Sequence, residues 1–109
     1  MRTVQASEIT KNIREMCIEA NHFLSDDMKK VFNESVEKEE SPLGKQILNQ
    51  LKENLEIAGR DMIPICQDTG MAVVFIKVGQ EVHIEGGNLT DAINEGVRQG
   101  YTDGYLRKS

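Results

Sequence analysis

Nowhere in these 109 residues does a run approach the roughly 20 consecutive apolar side chains that cross a bilayer, so the sequence offers no membrane span. The opening Met1-Arg2-Thr3-Val4-Gln5 lacks the apolar core of a signal peptide. Only two cysteines are present, too few for a disulfide framework. The expected compartment is therefore the cytoplasm, with both thiols reduced. Basic residues are also scarce: 13 Lys and Arg face 18 Asp and Glu, a net charge of -5. Nucleic-acid binding relies on clustered cations against phosphate, so no nucleic-acid partner is expected. Internal repeats, low-complexity tracts and interdomain linkers are absent as well. What remains is 39% hydrophobic and 28% charged residues, which fits one globular domain over 1–109 with a modest core.

Helical periodicity fills the first half of the chain. Ser7 reads as an N-cap with Glu8 in the favoured first turn, and Ile9, Ile13, Met16, Cys17, Ala20 and Leu24 then recur at helical spacing. Cys17 lies on that apolar face and reads as a small buried hydrophobe. Ser25-Asp26-Asp27 caps a second helix with Met28, Val31, Phe32 and Val36 on one side. Its end, Glu37-Lys38-Glu39-Glu40, reads as a solvated helix end. Ser41-Pro42 opens a third helix, Ser as N-cap and Pro at the first helical position. Leu43, Ile47, Leu48, Leu51, Leu55 and Ile57-Ala58 give it a stripe expected in the core, and Gly59 reads as its stop.

Strands are expected later. Ala72–Val78 is short, β-branched and continuously apolar, as a buried central strand is. Gly79-Gln80 reads as a turn, and Glu81–Glu85 alternates polar and apolar, which puts Val82 and Ile84 on one face and His83 on the exposed other. Gly86-Gly87 breaks that strand as a plain turn, with anion cradling the rival reading. Asn88 caps a fourth helix whose inner face is Leu89, Ala92, Ile93, Val97 and Tyr101. The expected fold class is α+β: N-terminal helices packed on a small β-sheet carrying Ala72–Val78 and Glu81–Glu85. An unpaired apolar sheet edge favours self-association, so a homo-oligomer is expected.

The chemistry concentrates in Ile63-Pro64-Ile65-Cys66-Gln67-Asp68-Thr69-Gly70-Met71. Pro64 biases Ile63 to an extended conformation, so no helix runs into the cysteine. Asp68 and Thr69 can bond local backbone amides, and Gly70 suits a tight turn. Residue types alone leave three readings of Cys66: part of a structural turn, a nucleophile, or one ligand of a metal. A nucleophile needs a base within reach, and neither His22, midway along a helix, nor His83 is paired with Cys66 by spacing. A zinc site needs about four ligands, more than this chain places at suitable spacing. On pattern alone the structural turn leads.

Several blocks taken together say more. Pro64–Gly70, the run Val73-Val74-Phe75-Ile76-Lys77-Val78-Gly79, Ala92–Val97 and Gly104-Tyr105-Leu106-Arg107-Lys108-Ser109 stand in one order. Glu40–Gly44 and Ile57-Ala58 precede them. In that order they resemble the iron–sulfur fumarate hydratases (class I fumarases) and the related tartrate dehydratases, over essentially the whole chain.

The resemblance implies a hydro-lyase with a 4Fe–4S cluster, in which three cysteines bind three irons and the fourth iron is left for substrate. The implied reaction is the reversible dehydration of (S)-malate to fumarate and water, a step of the tricarboxylic acid cycle. By the same resemblance Cys66 is the first cluster ligand. Gln67 and Asp68 line the substrate pocket, with Asp68 taking part in catalysis, and Arg107 grips a substrate carboxylate. Lys108 is a secondary candidate, exposed by default. Members of the family are longer than this chain, so it is expected to be an N-terminal part of the α-subunit domain, inactive alone. The other two cysteines, the catalytic base and the β subunit or C-terminal region would lie elsewhere. Its expected partners are fumarate, malate or another small dicarboxylate. L-tartrate dehydratase and a non-catalytic interaction module keeping the fold are the rival readings; an open reading frame continuing into two further cysteines separates enzyme from module.

Overall fold

A computed structural model describes residues 1–66 and 71–107. Six elements follow in order: strand β1 (Arg2–Gln5), helices α1 (Ala6–His22), α2 (Asp26–Lys38) and α3 (Pro42–Asp61), strand β2 (Val82–Glu85) and helix α4 (Leu89–Asp103). The chain is α+β, and its residues gather into two compact units. The first takes Met1–Glu19 and the described part of Gln67–Ser109; the second takes Ala20–Cys66.

In the first unit β1 and β2 pair in parallel, with Arg2 opposite Val82, Thr3 opposite His83, Val4 opposite Ile84 and Gln5 opposite Glu85. Period-two alternation puts Val4, Val82 and Ile84 on the half-buried face and His83 on the exposed one, as the sequence predicts. The turn at Gly79-Gln80 is also as expected, closed by the Val82 N–H on the Gly79 carbonyl at 3.3 Å. β1 passes straight into α1. Ala6 is already helical, so Ser7 is not the N-cap but lies inside the first turn. β2 reaches α4 through Gly86 and Gly87, both at positive φ (84° and 156°), where a side chain would be strained. Asn88 then caps α4: its Oδ1 accepts the Asp91 N–H at 2.8 Å.

Helices α1 and α4 meet at backbone distance. A Cβ on Gly96 would stand 2.6 Å from Ile13 Cβ and 2.7 Å from the Thr10 carbonyl oxygen. One on Gly100 would stand 2.8 Å from Cys17 Cβ, and one on Gly104 2.9 Å from Ile18 Cγ1. The inner line of α4 is therefore Ala92, Gly96 and Gly100, all buried, flanked by the half-buried Leu89, Ile93, Val97 and Tyr101. The Thr10 hydroxyl donates to the Ala92 carbonyl at 2.9 Å, and Arg14 Nε pairs with Asp103 Oδ2 at 2.9 Å. Together they tie the two helices near both ends of the contact.

Ala72–Val78 departs from expectation. It forms no strand with the described residues, and all of it is exposed, Phe75 to 93%. A continuously apolar run needs cover on both faces. Here β2 takes β1 as its ladder partner instead, and only Ile76–Val78 borders a 300 Å³ recess against the apolar face of the two strands.

In the second unit α2 and α3 start as predicted. Ser25 caps α2 by accepting the Met28 N–H, and Ser41 caps α3 by accepting the Gly44 N–H at 3.2 Å, with Pro42 first in the helix. The Glu37–Glu40 end is exposed except at Glu39, whose carboxylate accepts the Ser41 N–H at 3.0 Å. Gly59 is not the stop. α3 runs on to Asp61, and Gly59 instead admits the Phe23 ring, whose Cε1 stands 3.0 Å from where its Cβ would be. The α3 stripe is buried at Ala58 and half-buried at Leu48, Leu55 and Ile57, but Leu43, Ile47 and Leu51 are exposed, so its first half is not core among the described residues. His22 is the last residue of α1, not midway along it, and at 1% exposed it is the largest fully buried side chain described. No helix described is long and apolar enough to cross a membrane.

Candidate functional site

The segment leading to Cys66 is pinned residue by residue. Helix α3 ends with Met62 in the left-handed region (φ 53°, ψ 45°). The Met62 and Ile63 amides both donate to the Ala58 carbonyl, the second at 3.2 Å, a Schellman-type closure. Pro64 follows, as prolines do after such a cap, and cannot resume the helix. Ile65 is then held from both sides: its N–H donates to the Asn21 carbonyl at 2.7 Å, and its carbonyl accepts from Asn54 Nδ2 at 3.0 Å. Pro64 and Ile65 are half-buried, and Cys66 emerges exposed.

Arg107 is reached by the same kind of exit from α4. The Gly104 N–H donates to the Gly100 carbonyl at 2.9 Å, Tyr105 takes φ 56°, and the Leu106 N–H donates to the Tyr101 carbonyl at 3.0 Å. Leu106 is buried, which anchors the turn, and Arg107 follows it exposed. Both exits place a non-glycine residue, Met62 or Tyr105, in a conformation where glycine is usual. Each lies within four residues of a side chain singled out from the sequence.

Cys66 closes the second unit, and Arg107 lies in the first. Gln67, Asp68, the rest of the Asp68-Thr69-Gly70 turn, and Lys108 lie outside the described residues. Cys17 packs against Gly100 as the expected small hydrophobe, and burial pushes its thiol up. Asn21 and Asn54 are what sequence reasoning missed. Asn54 breaks the apolar stripe of α3, three residues after Leu51 and four before Ala58, but its partner lies eleven residues on, so the stripe does not say what it meets.

The donor set can be tested against an iron–sulfur cluster. Such clusters are held by several thiolates. This chain offers one exposed thiol, Cys66; its other, Cys17, is engaged in helix packing in the first unit. Among the described residues no three of His, Cys, Asp and Glu converge as a metal site. The chain thus fits one corner of a cluster and not the whole.

The model of the family described as fumarate hydratase (Fumerase) matches residues 10–109. The chain belongs to this family. Within it, the chain is 34% identical over 101 residues to the "Putative L(+)-tartrate dehydratase subunit alpha" of Methanocaldococcus jannaschii, covering 92% of this chain and 35% of that protein. It is 38% identical over 71 residues to the anaerobic class I fumarate hydratase of Escherichia coli K12, covering 65% of this chain and 13% of that one. The aerobic class I enzyme of the same strain matches at the same identity and shares. This member of the fumarate hydratase family therefore spans about a third of the tartrate dehydratase relative and a smaller share of the fumarate hydratases.

Proposed function

We propose that residues 1–109 are the N-terminal portion of the α-subunit domain of an iron–sulfur fumarate hydratase, which interconverts (S)-malate with fumarate and water. The observation that carries this reading is the family match over residues 10–109, which takes in both Cys66 and Arg107. Cys66 contributes one thiolate ligand, and the remaining ligands come from outside these residues. A bound cluster supplies Lewis acidity toward the substrate's hydroxyl and carboxylate oxygens. Arg107 presents a planar fork to a substrate carboxylate, a bidentate contact that orients the dicarboxylate. Gln67 lines the pocket, and Asp68 orients substrate or handles a proton there. The catalytic base and the β subunit or C-terminal region complete the enzyme, and the chain alone is inactive. A cytoplasmic homo-oligomer is the form this reading takes; the exposed Leu43, Ile47 and Leu51 support association.

The second reading, the α subunit of an L-tartrate dehydratase, is favoured by one observation: that relative matches over 92% of this chain, the fumarate hydratases over 65%. The test is the complete enzyme, loaded with iron and sulfide without oxygen and offered (S)-malate and L-tartrate separately. Dehydration of malate supports the first reading and of tartrate the second. Loss of water from neither overturns both.

A further inference from the structure

We infer that Asn54 is a positioning residue for Cys66, acting through the backbone of Ile65. The inference rests on the reading of Cys66 as a ligand only for its consequence; the geometry stands without it. The Ile65 N–H is fixed on the Asn21 carbonyl at 2.7 Å, at the end of α1, and the Ile65 carbonyl is fixed by Asn54 Nδ2 at 3.0 Å, in the body of α3. These two groups belong to successive peptide units, one on either side of the Ile65 Cα. A peptide unit is planar, so fixing the Ile65 carbonyl fixes the plane that carries the Cys66 nitrogen and Cα. Upstream, Pro64 has one allowed φ region, and the Met62 cap is closed on Ala58. The Cys66 sulfur is then left with only the φ and χ1 of its own residue to place it.

Asn54 Nδ2 holds the Ile65 carbonyl, and Cys66 itself is exposed, so its own side chain is not held in place by burial. Asn54 is also exposed, and it bonds across eleven residues rather than to its own helix. A thiolate that must meet a metal held partly by other segments gains from arriving in one place. Metal affinity falls when groups that orient a ligand are removed.

Asn54→Asp tests this with shape nearly unchanged, because an ionised carboxylate cannot donate to a carbonyl. On the 109-residue chain the Ile65 N–H keeps its Asn21 partner, but the segment opens more easily once its carbonyl is released, so amide exchange at Ile65 is expected to rise on the order of 10-fold, the scale of one net hydrogen bond. Exchange at Ala58 and the melting temperature should stay within error, and Asn54→Ala should behave alike. Unchanged exchange at Ile65, or an equal rise along all of α3, overturns the inference. In the complete enzyme, Asn54→Asp should lower iron retention against a chelator by about 10-fold or more, the scale seen when a group that orients a metal ligand is removed. Normal retention there, in a protein where Cys66→Ser loses iron, overturns the positioning role. If Cys66→Ser keeps its iron, the ligand reading fails, and exchange at Ile65 alone decides the clamp.

Discussion

Gly96 and Ile13 stand so close that no methyl fits between them: a Cβ on Gly96 would lie 2.6 Å from Ile13 Cβ. It would also lie 2.7 Å from the Thr10 carbonyl, which is backbone and cannot rotate away. Gly96→Ala gains about 1 kcal/mol of helix propensity. Overpacking at a rigid contact costs about 1–3 kcal/mol. The clash is expected to win, with a net loss on the order of 1 kcal/mol and a lower melting temperature. Gly44→Ala is the milder comparison, since the atoms nearest its Cβ belong to the Glu39 side chain, which can swing aside for the loss of one exposed bond to the Ser41 amide. An alanine at 96 that melts no lower than the parent would mean that α1 and α4 are not in backbone contact.

That contact also marks where the sequence was legible and where it was not. Three of the four helix starts among the described residues were readable because they rest on local chemistry: Ser25, Ser41-Pro42 and Asn88 each bond an amide three residues on, whereas Ser7 was misread because Ala6 is already helical. The inner face of α4 was read from its large side chains, yet the closest approach runs through Gly96 and Gly100, which carry no hydropathy signal. The four-residue spacing of Ala92, Gly96, Gly100 and Gly104 was the available clue. β1 was missed because four residues hold no period, and its partner lies about eighty positions away. Ala72–Val78 was over-read, because apolar β-branched composition states a demand for cover and not who provides it. Cys66 was singled out by its block of residues, whereas Asn54 was not, since a polar break in the α3 stripe does not say which later backbone group it meets.

The acid limb of stability should carry a contribution from Glu95. Its carboxylate accepts from Arg98 and from Gln99, and these bonds push it down from 4.5 to about 2, Arg98 being the larger cause. A carboxyl lowered by folding contributes stability that is in place above its unfolded pKa and lost as the pH falls toward the folded one. The window is thus from 4.5 down to about 2. The group is open to solvent, so the effect is small and weakened by salt. Glu95→Gln should flatten the melting temperature against pH across that window, matching the parent at its acid end and lying slightly below it at neutral pH, where the contribution is in place. An equal slope in both proteins would remove Glu95 from the acid response.

The two thiols should react at different rates. Cys66 is exposed, whereas Cys17 is half-buried against Gly100 and burial pushes its thiol up. The thiolate is the nucleophile, so a raised pKa and a covered sulfur both slow alkylation. With limiting iodoacetamide at neutral pH, peptide mass spectrometry should find Cys66 modified first, by about 10-fold or more. Equal labelling would contradict the packing of α1 on α4 at Cys17.

Tyr105 gives the last test, because its backbone and its neighbour Arg107 make separable demands. It sits at φ 56°, in the position where helix closures prefer glycine, and its side chain is 83% exposed, so the ring contributes little packing. A non-glycine residue held there costs on the order of 1 kcal/mol or more. Glycine relieves that cost but adds freedom to the unfolded chain, worth about 0.5–1 kcal/mol in the opposite direction. The two nearly offset, with relief slightly ahead, so Tyr105→Gly should melt no lower than the parent. The Leu106 amide on the Tyr101 carbonyl should still close the helix, and Arg107 should still follow it into solvent. If Tyr105 only shapes the turn, dicarboxylate binding by the complete enzyme should then survive Tyr105→Gly and be lost in Arg107→Ala, with iron content normal in both. Removing one charge-assisted contact of the arginine kind costs about 2–5 kcal/mol, well above what the turn can shift. Binding lost in Tyr105→Gly at unchanged stability would show that the ring itself meets the ligand, and binding kept in Arg107→Ala would take the arginine out of the pocket.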